Sequence, residues 1–335
     1  MTALLAVDGL AIGTQSGLPL VRDVCFSLDP GEIVAIVGES GSGKTMVSRA
    51  ILDLLPPGVV RTAGSIRLLG RDLSGMDARA LRQVRGGEVG MVFQEPMTSL
   101  NPAMPIGRQL EEALELHTRA DRAERRRRIL AMLERVAIPE PERCLSAWPH
   151  EFSGGMRQRI MLASVMLPKP KLLIADEPTT ALDAVVQAEG MELMVGLTRE
   201  NGTAVVLVSH DLSMVAHFAS RVVVMQQGTV VEAGPTDALL LRPQNPYTRR
   251  LLDALPRRGP ARPPATGEPL LAVENLVVDY PGRRRLIGRD APKRAVDGVS
   301  LVVRPGETVA VVGGSGSGKT TLGKAIIGLV APTAG

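Results

Sequence analysis

The stretch GESGSGKT at residues 38–45 has the composition and spacing of a phosphate cradle. It fits G-x-x-x-x-G-K-[ST], preceded by the apolar run EIVAIVG and followed by a helical pattern. In such a loop, successive backbone N–H groups wrap phosphate oxygens and the helix start adds its positive dipole end. Gly38, Gly41 and Gly43 permit close backbone approach, and Glu39, Ser40 and Ser42 complete the loop. Lys44 is expected to reach β- and γ-phosphates, and Thr45 to offer its hydroxyl to Mg²⁺. An accidental glycine turn would lack this strand–loop–helix setting.

A second stretch supplies acids. KLLIADEP (171–178) puts Asp176 and Glu177 at the end of an apolar run, where open α/β sheets hold their ligands. Asp176 is expected to hold Mg²⁺ through water, and Glu177 to orient or deprotonate an attacking water. Alone, an acidic pair ending a strand is an ordinary solvated turn; behind a phosphate loop it reads as catalytic. Gln94, closing VGMVFQ, could contact both metal and water, and His210, closing TAVVLVSH, could bridge the γ-phosphate and the catalytic carboxylate. Taken singly, each is a satisfied strand-end residue. Asp183 in TTALD reads as a helix N-cap, compatible with an interfacial role. In FSGGMRQR (152–159), Ser153, Gly154 and Gly155 open a helix and leave N–H groups free, which makes a second anion site. An ordinary capped helix start explains Ser153 and Gly154 but not the combination.

The same chemistry recurs. GGSGSGKT at 313–320 (Gly313, Gly314, Ser315, Gly316, Ser317, Gly318, Lys319, Thr320) nearly copies the first loop. LLAVDGLAI (4–12) matches LLAVENLVV (270–278), and VRDVCFSLDPGEIVAIVGESGSGKT matches VDGVSLVVRPGETVAVVGGSGSGKT. The chain therefore repeats itself, with a Pro- and Arg-rich tether, RRGPARPPATGEP, between the copies. The expected layout is a first domain at 1–256, a linker at 257–268 and the start of a second domain at 269–335.

These residues need an α/β frame. EIVAIVG, KLLIAD and TAVVLVSH are aliphatic runs suited to a parallel sheet covered on both faces. Helices are expected over 44–54, 184–200 and 211–218. The N-terminal strands with SIRLLG form an antiparallel flank, about 101–165 is a helical insertion, and about 235–256 is a C-terminal tail. Aromatic residues are only 2% of the chain, too few for the stacking platforms of a single-strand nucleic-acid binder. The net charge is +4, and twelve basic against five acidic residues between Arg242 and Arg294 read as a solvated linker. Cys25 and Cys144 show no metal-ligand spacing and are expected to be buried, reduced thiols. No run approaches the ~18 apolar residues of a membrane span, so a membrane role would come through a partner.

With the motifs in this order, the first domain resembles the ATP-binding subunit of an ABC transporter. The likeness covers about residues 3–255 and a shortened repeat from 269. The family's motifs stand at Gly38–Thr45 (Walker A), Gln94 (Q-loop), Ser153–Arg157 (signature), Leu172–Glu177 (Walker B), Ala181–Asp183 (D-loop) and His210 (H-loop). FQEPMTSLNP (93–102) and RPQNPYTRRLL (242–252) are similar to the dipeptide/oligopeptide/nickel importer branch. The resemblance implies a P-loop NTPase, RecA-like α/β core with antiparallel β- and helical subdomains, followed by the start of a second copy. It implies ATP and Mg²⁺ as ligands, with two domains head to tail sandwiching nucleotide between one Walker A and the opposing signature. Lys319 and Thr320 would hold an ATP closed by Ser153–Gly155.

The implied partners are integral-membrane permease subunits and a second ATP-binding domain (the rest of its own second copy, a second chain or a paralogue). An extracytoplasmic solute-binding protein would act indirectly, and nucleic acid is not expected. The implied place is the cytoplasmic face of the cell membrane, peripherally bound. Aligning the repeats puts Tyr280 where the family stacks an aromatic on adenine, and Thr14 at that place in the first copy. The implied task is energising import of di- or oligopeptides. Alternatives are import of nickel or another small solute, a non-transport ABC ATPase in repair or translation, and an inactive fragment. Repair members carry long coiled-coil or zinc-bearing insertions and translation members a long charged linker; this sequence has neither pattern. The 335 residues look like the front part of a tandem protein, expected to bind ATP but hydrolyse it poorly without a partner domain.

Overall fold

The computed structural model describes residues 3–93, 99–178, 184–255, 266–282, 291–314 and 316–335, with backbone alone at 184–185. The chain divides into two compact units, one drawn from Met1–Leu182 and Gln187–Pro256 and one built mainly from Arg257–Gly335.

In the first unit, β1 (Leu5–Thr14), β2 (Pro19–Leu28) and β3 (Ile33–Val37) lead into α1 (Lys44–Ile51). β4 (Val59–Leu68), β5 (Arg71–Asp72), α2 (Ala78–Val84) and β6 (Val89–Val92) follow. Next come α3 (Ile106–His117), α4 (Arg122–Arg135), α5 (Pro141–Ser146) and α6 (Gly154–Met166). β7 (Leu172–Asp176), α7 (Ala184–Asn201), β8 (Ala204–Val208), α8 (Leu212–Phe218), β9 (Arg221–Gln226) and β10 (Thr229–Pro235) complete the core. The tail forms α9 (Thr236–Leu241) and α10 (Pro246–Asp253).

The main sheet has the order β10-β9-β3-β8-β7-β6, parallel except for the antiparallel edge strand β10. Its strands are aliphatic on both faces because both faces are covered. Ala35, Val37, Leu173, Ala175, Val205 and Leu207 pack in one core with Leu110, Leu114 and Ile160 of the helical layer. Their neighbours Val34, Ile36, Leu172, Ile174, Val206 and Val208 pack in another with α1 and the antiparallel sheet β2-β1-β4-β5. The period-two alternation of a strand thus assigns each residue to one core or the other.

In the helical layer, Ile106, Leu110 and Leu114 lie four residues apart and bury one stripe of α3. The arginine run of α4 is a solvated, ion-paired face, with Arg128 2.7 Å from Glu124 and Arg125 3.4 Å from Glu111. Two expectations need correction. α1 ends at Ile51 rather than 54, because Asp53 takes a left-handed φ of 52° and Pro56 follows. Cys25 is exposed: on β2 it alternates with the buried Val24 and Phe26 and so points to the other face. Cys144 is buried.

The second unit contains β11 (Leu271–Tyr280) paired antiparallel with β12 (Lys293–Val303), and α11 (Lys319–Ile326). Its core is small, with Leu276, Val278, Val296 and Leu322 buried together. Residues 307–314 repeat the β3 sequence yet form no strand. Val312 is 87% exposed, whereas its counterpart Val37 is 1% exposed. β3 is held by hydrogen bonds from β8 on one side and β9 on the other. Among the described residues, the second unit supplies neither neighbour, so the near-identical segment forms no strand.

Candidate nucleotide site

The phosphate loop runs from the end of β3 to the first residue of α1. Two glycines are required by its shape. Gly38 has φ 153°, and a Cβ there would overlap the carbonyl oxygen of Met225 on β9. Gly43 is the N-cap of α1 in a left-handed conformation, φ 100°, and no side chain caps the helix. The first N–H groups of α1 are therefore left for an anion, at the positive end of the helix.

Lys44 is buried, and its Nζ donates to Gly38 O at 2.8 Å and Glu39 O at 2.9 Å. Burial pulls its ammonium below the usual lysine range, opposed by the nearby carboxylates of Glu177 and Asp176. The ammonium thus lies folded onto its own loop, within reach of the space the loop encloses.

β7 delivers the acids. Asp176 is its last residue and is buried. Thr45 Oγ1 donates to Asp176 Oδ1 at 3.3 Å, and Ser48 Oγ lies 3.3 Å from Asp176 Oδ2. Burial raises the Asp176 carboxyl above the usual range, opposed by these two hydroxyls. The donor set is all oxygen, which fits a hard divalent ion such as Mg²⁺, with Thr45 and Asp176 as the residues to hold it. Glu177 follows in a left-handed conformation, φ 47°, its N–H donating to Val208 O at 2.9 Å. That conformation is uncommon for a residue with a side chain and concentrates at functional sites. It turns the glutamate off the strand line, where its Oε1 lies 3.3 Å from His210 Nδ1.

The fold therefore gathers Lys44, Thr45, Asp176, Glu177 and His210 from two strand ends, those of β7 and β8, and one helix start. Ser153 caps α6, its Oγ accepting from Met156 N–H at 3.4 Å. No hydrogen bond or ion pair among the described residues joins Ser153, Gly154 or Gly155 to the loop of the same unit. Gln94, Asp183 and Ser315 lie outside the described residues. Thr14 is engaged in the β1–β2 turn, accepting from Leu18 N–H at 3.0 Å. In the second unit, Lys319 Nζ donates to Gly313 O and Gly314 O at 2.7 Å, repeating the Lys44 arrangement. Tyr280 Oη lies 3.4 Å from Thr321 Oγ1.

Three residues escaped the sequence reading. Ser48 lies one helical turn beyond Thr45, so the i, i+3 spacing was an available signal. Gln158, buried on α6, donates from Nε2 to Pro178 O at 2.9 Å. Glu39 N–H donates to Tyr247 Oη at 3.0 Å across 208 residues of sequence, and no local pattern signals that.

A glycine loop between a buried parallel strand and a helix, with a carboxylate ending a neighbouring strand, defines a P-loop nucleotide-binding protein. A sequence profile described as ABC transporter matches residues 21–180 and 296–335. This chain belongs to the ABC transporter family. It is 46% identical over 333 residues to "Peptidoglycan transport ATP-binding protein YejF" of Agrobacterium fabrum (strain C58), covering 98% of this chain and 61% of that protein. It is 42% identical over 363 residues to "Glutathione import ATP-binding protein GsiA" of Escherichia coli (strain K12), covering 98% and 58%. The chain thus spans about three-fifths of these curated relatives. Among solved structures it resembles the dimeric, post-hydrolysis state of the ATP-binding cassette MJ0796 bound to ADP and Pi. The TM-score there is 0.61 at 27% identity, over 69% of this chain and 98% of that one.

Proposed function

We propose that the chain binds and hydrolyses ATP to energise an ABC importer of small peptides. The carrying observation is the cluster of Lys44, Thr45 and Asp176 beneath an uncapped helix start. In this reading the Gly38–Thr45 loop holds the triphosphate, and Lys44 exchanges its carbonyl partners for β- and γ-phosphate oxygens. A bound Mg²⁺, held by Thr45, Asp176 and Gln94, would neutralise charge across the phosphates. Glu177 accepts the proton of the attacking water, and His210 orients that carboxylate while facing the γ-phosphate.

Ser153–Gly155 and Asp183 serve an opposing domain's nucleotide, and Gly313–Thr320 with Tyr280 form the second nucleotide loop. A triphosphate gripped by a cradle on one face and a helix tip on the other links two domains until hydrolysis removes the link. Permease subunits and a second ATP-binding domain are the working partners, and the assembly lies at the cytoplasmic face of the cell membrane. The word import in the name of the glutathione relative supports the direction, and glutathione, itself a peptide, supports the solute class.

The test is equilibrium binding of a fluorescent ATP analogue with Mg²⁺ to the purified chain and to Lys44→Ala. Losing the charge-assisted contacts is expected to weaken binding roughly a hundredfold. Equal binding by the two proteins would remove the basis of the proposal.

A further inference from the structure

Tyr247 belongs to the tail rather than to any phosphate-loop pattern, yet its hydroxyl accepts the backbone N–H of Glu39, the second residue of the loop, at 3.0 Å. The phenol is held firmly. Tyr247 is buried in the larger core at the start of α10, and the guanidinium of Arg250 lies 5.9 Å from its ring centroid. Asn245 caps α10 by accepting Tyr247 N–H at 2.8 Å, and its own Nδ2 donates to Val231 O at 3.2 Å. The Glu232 carboxylate accepts Gln244 N–H at 2.8 Å and Asn245 N–H at 3.1 Å. α10 is thereby bolted to β10 at its first turn, with one polar group aimed at the loop.

The Glu39 residue is gripped at both ends: the phenol takes its N–H, while Lys44 Nζ and Ser42 N–H donate to its carbonyl. In the nucleotide-binding reading above, on which this inference rests, Lys44 leaves that carbonyl when it turns to phosphate. The tyrosine bond then remains as a hold on the first peptides of the loop from outside the strand–loop–helix unit. We infer that Tyr247 is a positioning residue for the phosphate loop, so that the tail helix α10 and the nucleotide site are energetically coupled. Because such coupling is reciprocal, nucleotide should also tighten the start of α10.

The experiment compares the 335-residue chain with Tyr247→Phe, which keeps the ring and removes only the hydroxyl. Amide exchange is read at Glu39 and in the first turn of α10, with and without a non-hydrolysable ATP analogue and Mg²⁺. The expected result is faster Glu39 exchange without nucleotide and a fall in unfolding midpoint of no more than a few degrees, the scale of one hydrogen bond. Analogue affinity should fall about three- to tenfold, the scale of one net hydrogen bond. The nucleotide-dependent slowing in α10, present in the parent, should be absent from the variant.

Unchanged Glu39 exchange and unchanged affinity would overturn the inference. So would an equal affinity loss in Leu239→Ala, a core variant on α9 that leaves the phenol in place. Should Tyr247→Phe fail to fold, Asn245→Ala, which loosens the start of α10 without touching the ring, carries the same expectations. If the parent itself does not bind the analogue, the nucleotide reading fails, while Glu39 exchange still decides whether the tyrosine holds the loop.

Discussion

His210 Nδ1 stands 3.3 Å from Glu177 Oε1, the histidine 63% exposed and the glutamate 14% exposed by side chain. The two close neighbouring strands, β8 and β7. In the proposed mechanism this exposed imidazole would orient the shielded carboxylate as a base. Replacing Glu177 by Gln in the protein assembled with its second ATP-binding domain should leave ATP bound and slow hydrolysis by about 10²–10⁴. Single-turnover hydrolysis and nucleotide retention measure the two effects separately. Undiminished hydrolysis would exclude Glu177 as the base.

Gly38→Ala should be far more damaging than its one added methyl suggests. The new Cβ would meet Met225 O and Ser42 Oγ, on a backbone with φ 153°. Strain and overpacking together should cost on the order of 3 kcal/mol. Chemical denaturation would read that loss directly, and nucleotide binding should weaken with it because the loop must shift.

The two copies of the strand sequence should differ sharply in amide exchange. Ile33–Val37 is buried at all five positions and hydrogen-bonded on both sides. Residues 307–314 carry no strand partners among the described residues. Slow exchange in the first segment and fast exchange in the second is the expected outcome. Comparable protection of both would mean that the second segment finds partners in solution.

His117 makes stability depend on pH. Its ring, at the end of α3, lies on the Gly86–Gly87 turn, and burial pulls its pKa below 6.5. The unfolded chain then binds the proton more readily than the folded one. Its contribution is therefore complete above the unfolded value and erodes as pH falls through about 6.5. Thermal unfolding of His117→Phe across pH 5–8 should show a shallower acid-side decline than the parent, with other groups supplying the remainder.

Thiol chemistry should separate the cysteines. Cys25 is exposed, while Cys144 is buried with its thiol pushed up to about 11. A maleimide at neutral pH should label Cys25 alone in the folded protein and both after denaturation. Prompt labelling of Cys144 would place the α5 region outside the core.

Much of the frame was legible because it is written locally. Fully aliphatic runs announced β3, β7 and β8, the glycine spacing marked the bend before α1, and the internal repeat revealed a second start. The reach of Lys44 to its own loop follows from residues six or fewer apart. Ser48 could have been read from helix spacing and was not. Cys25 went wrong because composition favours burial, while only the pairing of β1 and β2 decides which face a residue takes.

By itself the sequence determined the strand–loop–helix unit, the adjacent acids Asp176 and Glu177 at the end of β7, and the fact of duplication, since each depends on neighbours along the chain. Only tertiary structure decided that VAVV at 309–312 has no strand partner among the described residues while VAIV at 34–37 is a central strand. A strand is completed by hydrogen bonds from other strands, and β8 and β9 lie more than 160 residues beyond β3. Only tertiary structure, too, brought the Tyr247 hydroxyl to the Glu39 N–H, because a phenol finds its partner through the packing of the helix that carries it.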